Sequence, residues 1–244
     1  MVTMRRAIAV AALLAFAAEA AADEAAVRRL VQSRLGAEGA IETVQRVPGS
    51  GLYEVTIRGA QGPQIFYVDE RAGIIVVGQA IDARTGRNLT EERLRTLNAI
   101  DWSGLPFADA ITTRRGNGWR KIAVFSDPNC PYCKRFEKDL ARLDDLTVHI
   151  FLFPVIKPES VALTKSVWCS ADRAKAWNDL MLRDMPPRAK PDCEMPVEKL
   201  VELGRSLGAN STPTWYLETG ERYSGAVPLE QVRRLLDAAS PARQ

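Results

Sequence analysis

The 244-residue chain has one histidine, four cysteines and only 7% aromatic residues. Each scarcity excludes something. A lone His149 cannot build a His-rich metal site. It also argues against Ser-His-Asp or Cys-His catalysis, which needs an imidazole placed beside the nucleophile. An excess of one charge is missing too. The 33 Lys and Arg against 30 Asp and Glu leave +3, which gives no reason to expect nucleic acid or an anionic membrane as a partner. Beyond the N-terminus no segment approaches the roughly 20 apolar residues that a membrane-spanning helix needs. No internal repeat or low-complexity tract is found. What remains is ordinary for a folded protein, 46% hydrophobic and 26% charged, so wholesale disorder is not expected and any chemistry falls to the cysteines.

The first 22 residues read as a secretory signal peptide. Arg5 and Arg6 supply the positive start, Ala7 to Ala18 is an apolar run too short to span a bilayer, and Ala-x-Ala sites follow at Ala18-Glu19-Ala20 and Ala20-Ala21-Ala22. Cleavage there removes two positive charges and one negative and leaves the chain near neutrality. Export places all four cysteines in an oxidising space, where thiols pair. The expected location is the periplasm.

Hydropathy patterning divides the rest. Val27, Leu30, Val31 and Leu35 fall at helical spacing, and the helix stops near Gly36. Tyr53, Val55 and Ile57 then alternate with polar residues, and Ile65–Val68 and Ile74–Val77 are short β-type runs bounded by turn residues. Residues 23–84 therefore read as a small cysteine-free domain suited to binding or dimerisation. Asn88 with Glu91 resembles a capping box, and Leu94, Leu97 and Ile100 follow at helical spacing. A linker helix is expected within residues 85–105, from about Thr90 to Ala99. Residues 106–244 alternate: strand Lys121–Ser126, helix Pro131–Leu143, strand Thr147–Phe153, helices between Ser160 and Gly208, a hairpin around Thr219-Gly220, and a closing helix Leu229–Ala239. That order is the order of a thioredoxin-like fold carrying a helical insertion.

Phe125-Ser126-Asp127-Pro128-Asn129-Cys130-Pro131-Tyr132-Cys133-Lys134 carries the chemistry. It sets Cys-x-x-Cys where a strand passes into a helix. Cys130 then lies at the helix N-terminus, where unpaired N–H groups and the helix dipole favour an anion. That lowers its pKa, and the thiolate is the nucleophile. Cys133, one turn on and facing inward, can close a disulfide with it. Pro131 costs little in a first turn. A zinc site would need a second close pair of ligands; Cys169 and Cys193 are 24 positions apart with no histidine nearby. No metal and no organic cofactor is expected.

Three features lie outside this motif. In Ser211-Thr212-Pro213-Thr214, Pro213 opens the hairpin and is a candidate for the cis proline that faces the cysteine pair in such folds. The spacing of Cys169 and Cys193 suits a disulfide within the insertion, with a second redox pair as the alternative. His149, Trp168 and Trp177 read as packing residues.

Together these stretches resemble the DsbC and DsbG family of bacterial periplasmic disulfide isomerases, over nearly the whole mature chain. The motifs that carry the resemblance are the cysteine-free first domain, the linker helix, Asp127–Lys134, Val167-Trp168-Cys169 with Cys193, and Ser211-Thr212-Pro213. The resemblance implies an α+β protein: a cystatin-like N-terminal dimerisation domain, a linker helix and a thioredoxin-like catalytic domain, assembled as a homodimer. It implies that Cys130 is the nucleophile and Cys133 the resolving thiol. Thr212 and Pro213, with Pro131 and Tyr132, would face substrate, and Cys169–Cys193 would be a structural disulfide. The implied partners are misfolded exported proteins and a membrane reductase of the DsbD type. Pro131-Tyr132 matches DsbG, whereas DsbC commonly has Gly-Tyr. A DsbG-like reductase guarding single cysteines therefore stays open beside the isomerase. So do a DsbA-like oxidase that donates disulfides and a holdase that binds unfolded chains without redox chemistry. The separate first domain argues against the oxidase.

Overall fold

The computed structural model describes residues 24–34, 40–59 and 62–240. The expected signal peptide lies outside the described residues. The chain forms two compact units, one ending at Asn98 and the other starting at Ala99.

The first unit opens with helix α1, residues 24–34, and a meander of four antiparallel strands: β1 (Ala40–Val47), β2 (Leu52–Gly59), β3 (Gly62–Asp69) and β4 (Ile75–Val76). Val27 and Val31, one helical turn apart on α1, pack with Val44, Tyr53, Val55 and Val68 of the sheet. Asp69 shapes the turn into β4 by accepting from the N–H groups of Gly73 and Ile74. Strand β1 has no clear sequence signal. Its apolar residues Ile41, Val44 and Val47 are three apart, and a bulge between Ile41 and Thr43 lets the first two share a face although their spacing breaks the two-residue alternation of a regular strand.

Helix α2 (Leu89–Leu97) ends this unit. The expected capping holds, with the Asn88 side chain accepting from Glu91 N–H. Thr90 on α2 hydrogen-bonds Tyr67 of β3, and Arg93 pairs with the buried Glu54 of β2. Its span lies within two residues of the expected Thr90–Ala99. Residues 85–86 lie in a turn whose Gly86 has φ +72°, and past the Asn98 cap the chain becomes a separate 3-10 turn at Trp102–Gly104, capped by Asp101.

The second unit is built on a five-stranded sheet in the order β5-β7-β6-β8-β9: β5 (Ile111–Arg114), β6 (Arg120–Ser126), β7 (Leu146–Leu152), β8 (Thr214–Leu217) and β9 (Arg222–Ser224). The central pair, β6 and β7, is parallel and the other pairings are antiparallel. Helix α3 (Pro131–Leu140) connects the parallel pair. Helices α4 (Glu159–Trp168), α5 (Arg173–Arg183) and α6 (Val197–Ser206) follow β7, and α7 (Leu229–Ala239) closes the chain. Phe125 sits at the centre of the core, its ring 5.0 Å from Phe151, 5.7 Å from Phe153 and 5.8 Å from Tyr216. Gly204 of α6 is glycine because a Cβ there would lie 2.6 Å from the Phe153 ring. Gly220 allows the β8–β9 turn, with φ +85° and its carbonyl accepting from Ile100 N–H at 3.0 Å. Among the described residues no helix is long and apolar enough to cross a membrane.

Candidate active site

Strand β6 delivers the motif. Its last residue, Ser126, is followed by a tight turn in which Cys130 N–H donates to the Asp127 carbonyl at 3.1 Å. Cys130 is the N-cap of α3, with extended backbone (φ −83°, ψ 117°), and Pro131 takes the first helical position. The Cys130 sulfur occupies the place that a serine or aspartate oxygen takes in an ordinary N-cap. It accepts from Cys133 N–H at 3.4 Å, and as a thiol it donates to the Thr212 carbonyl at 3.3 Å. The Thr212–Pro213 peptide bond is cis. The structure thus brings Cys130, Cys133 and the Thr212–Pro213 loop together. Tyr132 beside them is 61% exposed.

The two thiols are electrostatically unlike. Cys130 is pulled down to about 5, chiefly by a hydrogen bond from the Cys133 thiol, with help from the Thr212 side chain and the first N–H groups of α3, and against the cost of burial. At neutral pH it is a thiolate. Cys133 is pushed up strongly, first by burial and then by its role as donor to Cys130. The pair therefore shares one proton, held on the inner sulfur, and presents one nucleophile. Cys169 and Cys193 are bonded to each other, with Cα atoms 5.7 Å apart, whereas Cys130 and Cys133 are both free thiols. The Cys169–Cys193 bond ties the end of α4 to the stretch before α6.

Asp127 belongs to the motif, but its role is visible only in the fold. It is fully buried, and both its oxygens are occupied. Oδ1 accepts from Asn129 N–H and the Ser160 hydroxyl, and Oδ2 from Val155 and Ile156 N–H. Only its bond to Asn129 N–H is the local turn contact that an aspartate commonly makes; the other three reach across to residues 155–160. Glu137 is a second group that sequence reasoning misses, enclosed under α3 with Trp177 Nε1–H donating to it at 3.0 Å. Nothing in its local pattern separates it from an exposed helical glutamate. His149 is a packing residue as expected, hydrogen-bonded to Thr112 and lying 4.5 Å from the Phe107 ring. Among the described residues no cluster of three potential metal ligands occurs.

Known proteins share this architecture. The thioredoxin-like domain family model matches residues 107–240, and the disulfide bond isomerase N-terminal domain model matches residues 18–91. The "probable thiol:disulfide interchange protein DsbC" of Bordetella parapertussis is 39% identical over 80% of this chain and 68% of its own length. The chain belongs to the DsbC family. The Escherichia coli thiol:disulfide interchange protein DsbC is 25% identical over 92% of each chain. The crystal structure of a disulfide interchange protein from Neisseria gonorrhoeae matches with a TM-score of 0.54 and 37% identity, over 55% of this chain and 98% of that one. Membership of the DsbC family makes the protein a thiol:disulfide oxidoreductase, with a thioredoxin-like domain joined to a DsbC-type N-terminal domain.

Proposed function

We propose that the protein is a periplasmic disulfide isomerase and reductase acting through Cys130-Pro131-Tyr132-Cys133. The observation that carries this reading is the Cys130 sulfur at the N-cap of α3, opposite the Thr212–Pro213 loop. Cys130 thiolate attacks a wrong disulfide in an exported protein. A Cys130–substrate bond forms, the substrate disulfide breaks, and the second substrate sulfur leaves as a thiolate. In isomerisation another substrate thiolate attacks the mixed disulfide and expels Cys130, with no net electron transfer. In reduction Cys133 loses its proton, attacks Cys130 and releases the substrate thiol. The resulting Cys130–Cys133 disulfide takes two electrons from a dithiol donor, a membrane reductase of the DsbD type. A low Cys130 pKa makes that sulfur an ionised nucleophile in both routes, and in isomerisation also a good leaving group.

The same proposal places the N-terminal unit in a homodimer. Ile74, Ile75, Val76, Val77 and Ile81 are all exposed on and beside edge strand β4, the kind of edge that a second chain covers. Pro131 keeps the DsbG-like reductase as the second reading. The test is refolding of a scrambled, multi-disulfide substrate in a glutathione buffer. The wild-type chain restores the native pairing, and Cys130→Ser does not. Equal recovery with both proteins sinks the proposal.

A further inference from the structure

Ser126 ends β6, just before the turn that leads to Cys130. Its place on the sheet follows from strand geometry. Side chains directly opposite each other in a strand pair share a face, and so do side chains two apart on one strand. Val124 of β6 lies opposite Trp215 of β8, so Val124, Trp215 and Ser126 share one face. The Trp215 ring is 5.5 Å from that of Phe136 on α3. Helix α3 therefore covers this face, with Cys133, Phe136 and Leu140 wholly enclosed against it. Phe125 points to the other face, against Phe151, Phe153 and Tyr216. Cys133 is the enclosed residue nearest the start of α3, and Ser126 ends its strand beneath it.

Ser126 is fully buried, and its hydroxyl finds no hydrogen-bond partner among the described residues. A buried donor left unpaired costs stability, and alanine would fill the same place without that cost. The neighbour that can use the donor is Cys133. Burial and then Cys130 push the Cys133 thiol up, and the Ser126 hydroxyl is the main influence in the other direction. While Cys133 is a thiol it donates to Cys130 and needs no donor of its own. Once Cys130 is bonded to a substrate sulfur, Cys133 must ionise without that partner, and a thiolate in a buried place needs a hydrogen bond.

We infer that the Ser126 hydroxyl is the donor that stabilises the Cys133 thiolate in the mixed disulfide, and that it thereby sets how the protein divides between reduction and isomerisation. This deepens the proposed function and rests on it. In the step that Ser126 serves, a Cys133–Cys130 bond forms and the bond between Cys130 and the substrate sulfur breaks. The proton given up by Cys133 ends on the departing substrate sulfur. Over the whole route the cysteine pair loses two electrons and the substrate disulfide gains them. Ser126 keeps its own proton throughout. Isomerisation, in which a substrate thiolate expels Cys130, does not use Cys133 and gains nothing from Ser126.

The test uses the full reduced chain and a short peptide whose single cysteine is joined to thionitrobenzoate. Attack by Cys130 frees coloured thionitrobenzoate and leaves the peptide on Cys130. Cys133 then releases the peptide. Absorbance follows the first step, and mass spectrometry of acid-quenched samples follows the second. In Ser126→Ala the attack rate and the Cys130 titration midpoint of about 5 stay at their wild-type values. Release slows about tenfold, the loss of one hydrogen bond to a charged group. Release by the wild type quickens with rising pH as Cys133 ionises, and in the variant the same rise lies at higher pH. With a scrambled protein substrate the variant yields more reshuffled and less reduced product. Urea unfolding finds it no less stable than the wild type, since only an unpaired hydroxyl has gone. A Ser126→Ala chain that releases peptide at the wild-type rate overturns the inference. So does one in which attack, release and stability fall together, which marks a packing role. A wild type that forms no adduct with the peptide overturns the proposed function itself.

Discussion

Glu137→Gln should make the catalytic unit more stable at alkaline pH and leave it unchanged in acid. Glu137 lies on α3 four residues past Cys133, fully enclosed, with Trp177 Nε1–H as its hydrogen-bond donor. Burial pushes its carboxyl from 4.5 up to about 7, partly offset by Trp177 and by the charge of Arg115. A folded-state pKa above the unfolded one means that the folded protein holds this proton more tightly. The stabilisation is complete below about pH 4.5. It is lost as pH rises through about 7, because only the unfolded carboxyl ionises freely in that window. At about 1.4 kcal/mol per pH unit, the interval corresponds to about 3 kcal/mol. Glutamine keeps the shape and the carbonyl acceptor for Trp177 but has no charge to bury. The variant should gain up to about 3 kcal/mol over the wild type at pH 8 and about nothing at pH 4.5. Urea unfolding followed by tryptophan fluorescence measures this cleanly, because all five tryptophans, Trp102, Trp119, Trp168, Trp177 and Trp215, lie in the second unit. A difference between variant and wild type that does not change with pH refutes the argument, as does a variant that is less stable at pH 8.

Four further outcomes are expected. In the reduced protein one thiol should titrate with a midpoint of about 5, seen as thiolate absorbance lost on acidification and absent from Cys130→Ser, while Cys133 stays protonated through the neutral range. Ionisation of Cys130 stabilises the reduced fold as pH rises above about 5, so the stability advantage of the reduced wild type over Cys130→Ser should shrink as pH falls through that value. Asp127→Asn should cost about 2–4 kcal/mol by denaturant unfolding, because four donors lose a carboxylate acceptor in a buried site. Gly204→Ala should cost about 1–3 kcal/mol, since its methyl group would meet the Phe153 and Phe125 rings, and a thermal unfolding temperature equal to that of the wild type would contradict the close packing.

The catalytic unit was legible because its signals are local. Pro131 after Cys130 marks a helix start, the inward stripe Cys133, Phe136 and Leu140 marks its face, and α7 matches its expected span of Leu229–Ala239. Strands that follow a regular alternation or a continuous β-branched run were found to within three residues at each end. Those missed have a physical reason. In β1 the bulge after Ile41 hides the alternation. Strand β5 is four residues long, Ile-Thr-Thr-Arg, and forms only through its pairing with β7. At the site, the thiol pair and Pro213 could be read from motif and order. The roles of Asp127 and Glu137 could not. Both depend on what the tertiary fold places beyond the next turn: Val155 and Ile156 for one, Trp177 for the other.

The central claim is that Cys130 alone makes the covalent bond with substrate, and that Cys133 releases it when a substrate thiol does not. Cys133→Ala in the full chain tests this most directly. Reduced first, then incubated with a protein carrying scrambled disulfides and quenched in acid, the variant should accumulate a covalent adduct that dithiothreitol dissolves and that maps to Cys130. The Cys130→Ala, Cys133→Ala double variant should form none. An adduct that persists in the double variant, or one that maps to Cys169 or Cys193, would contradict the account.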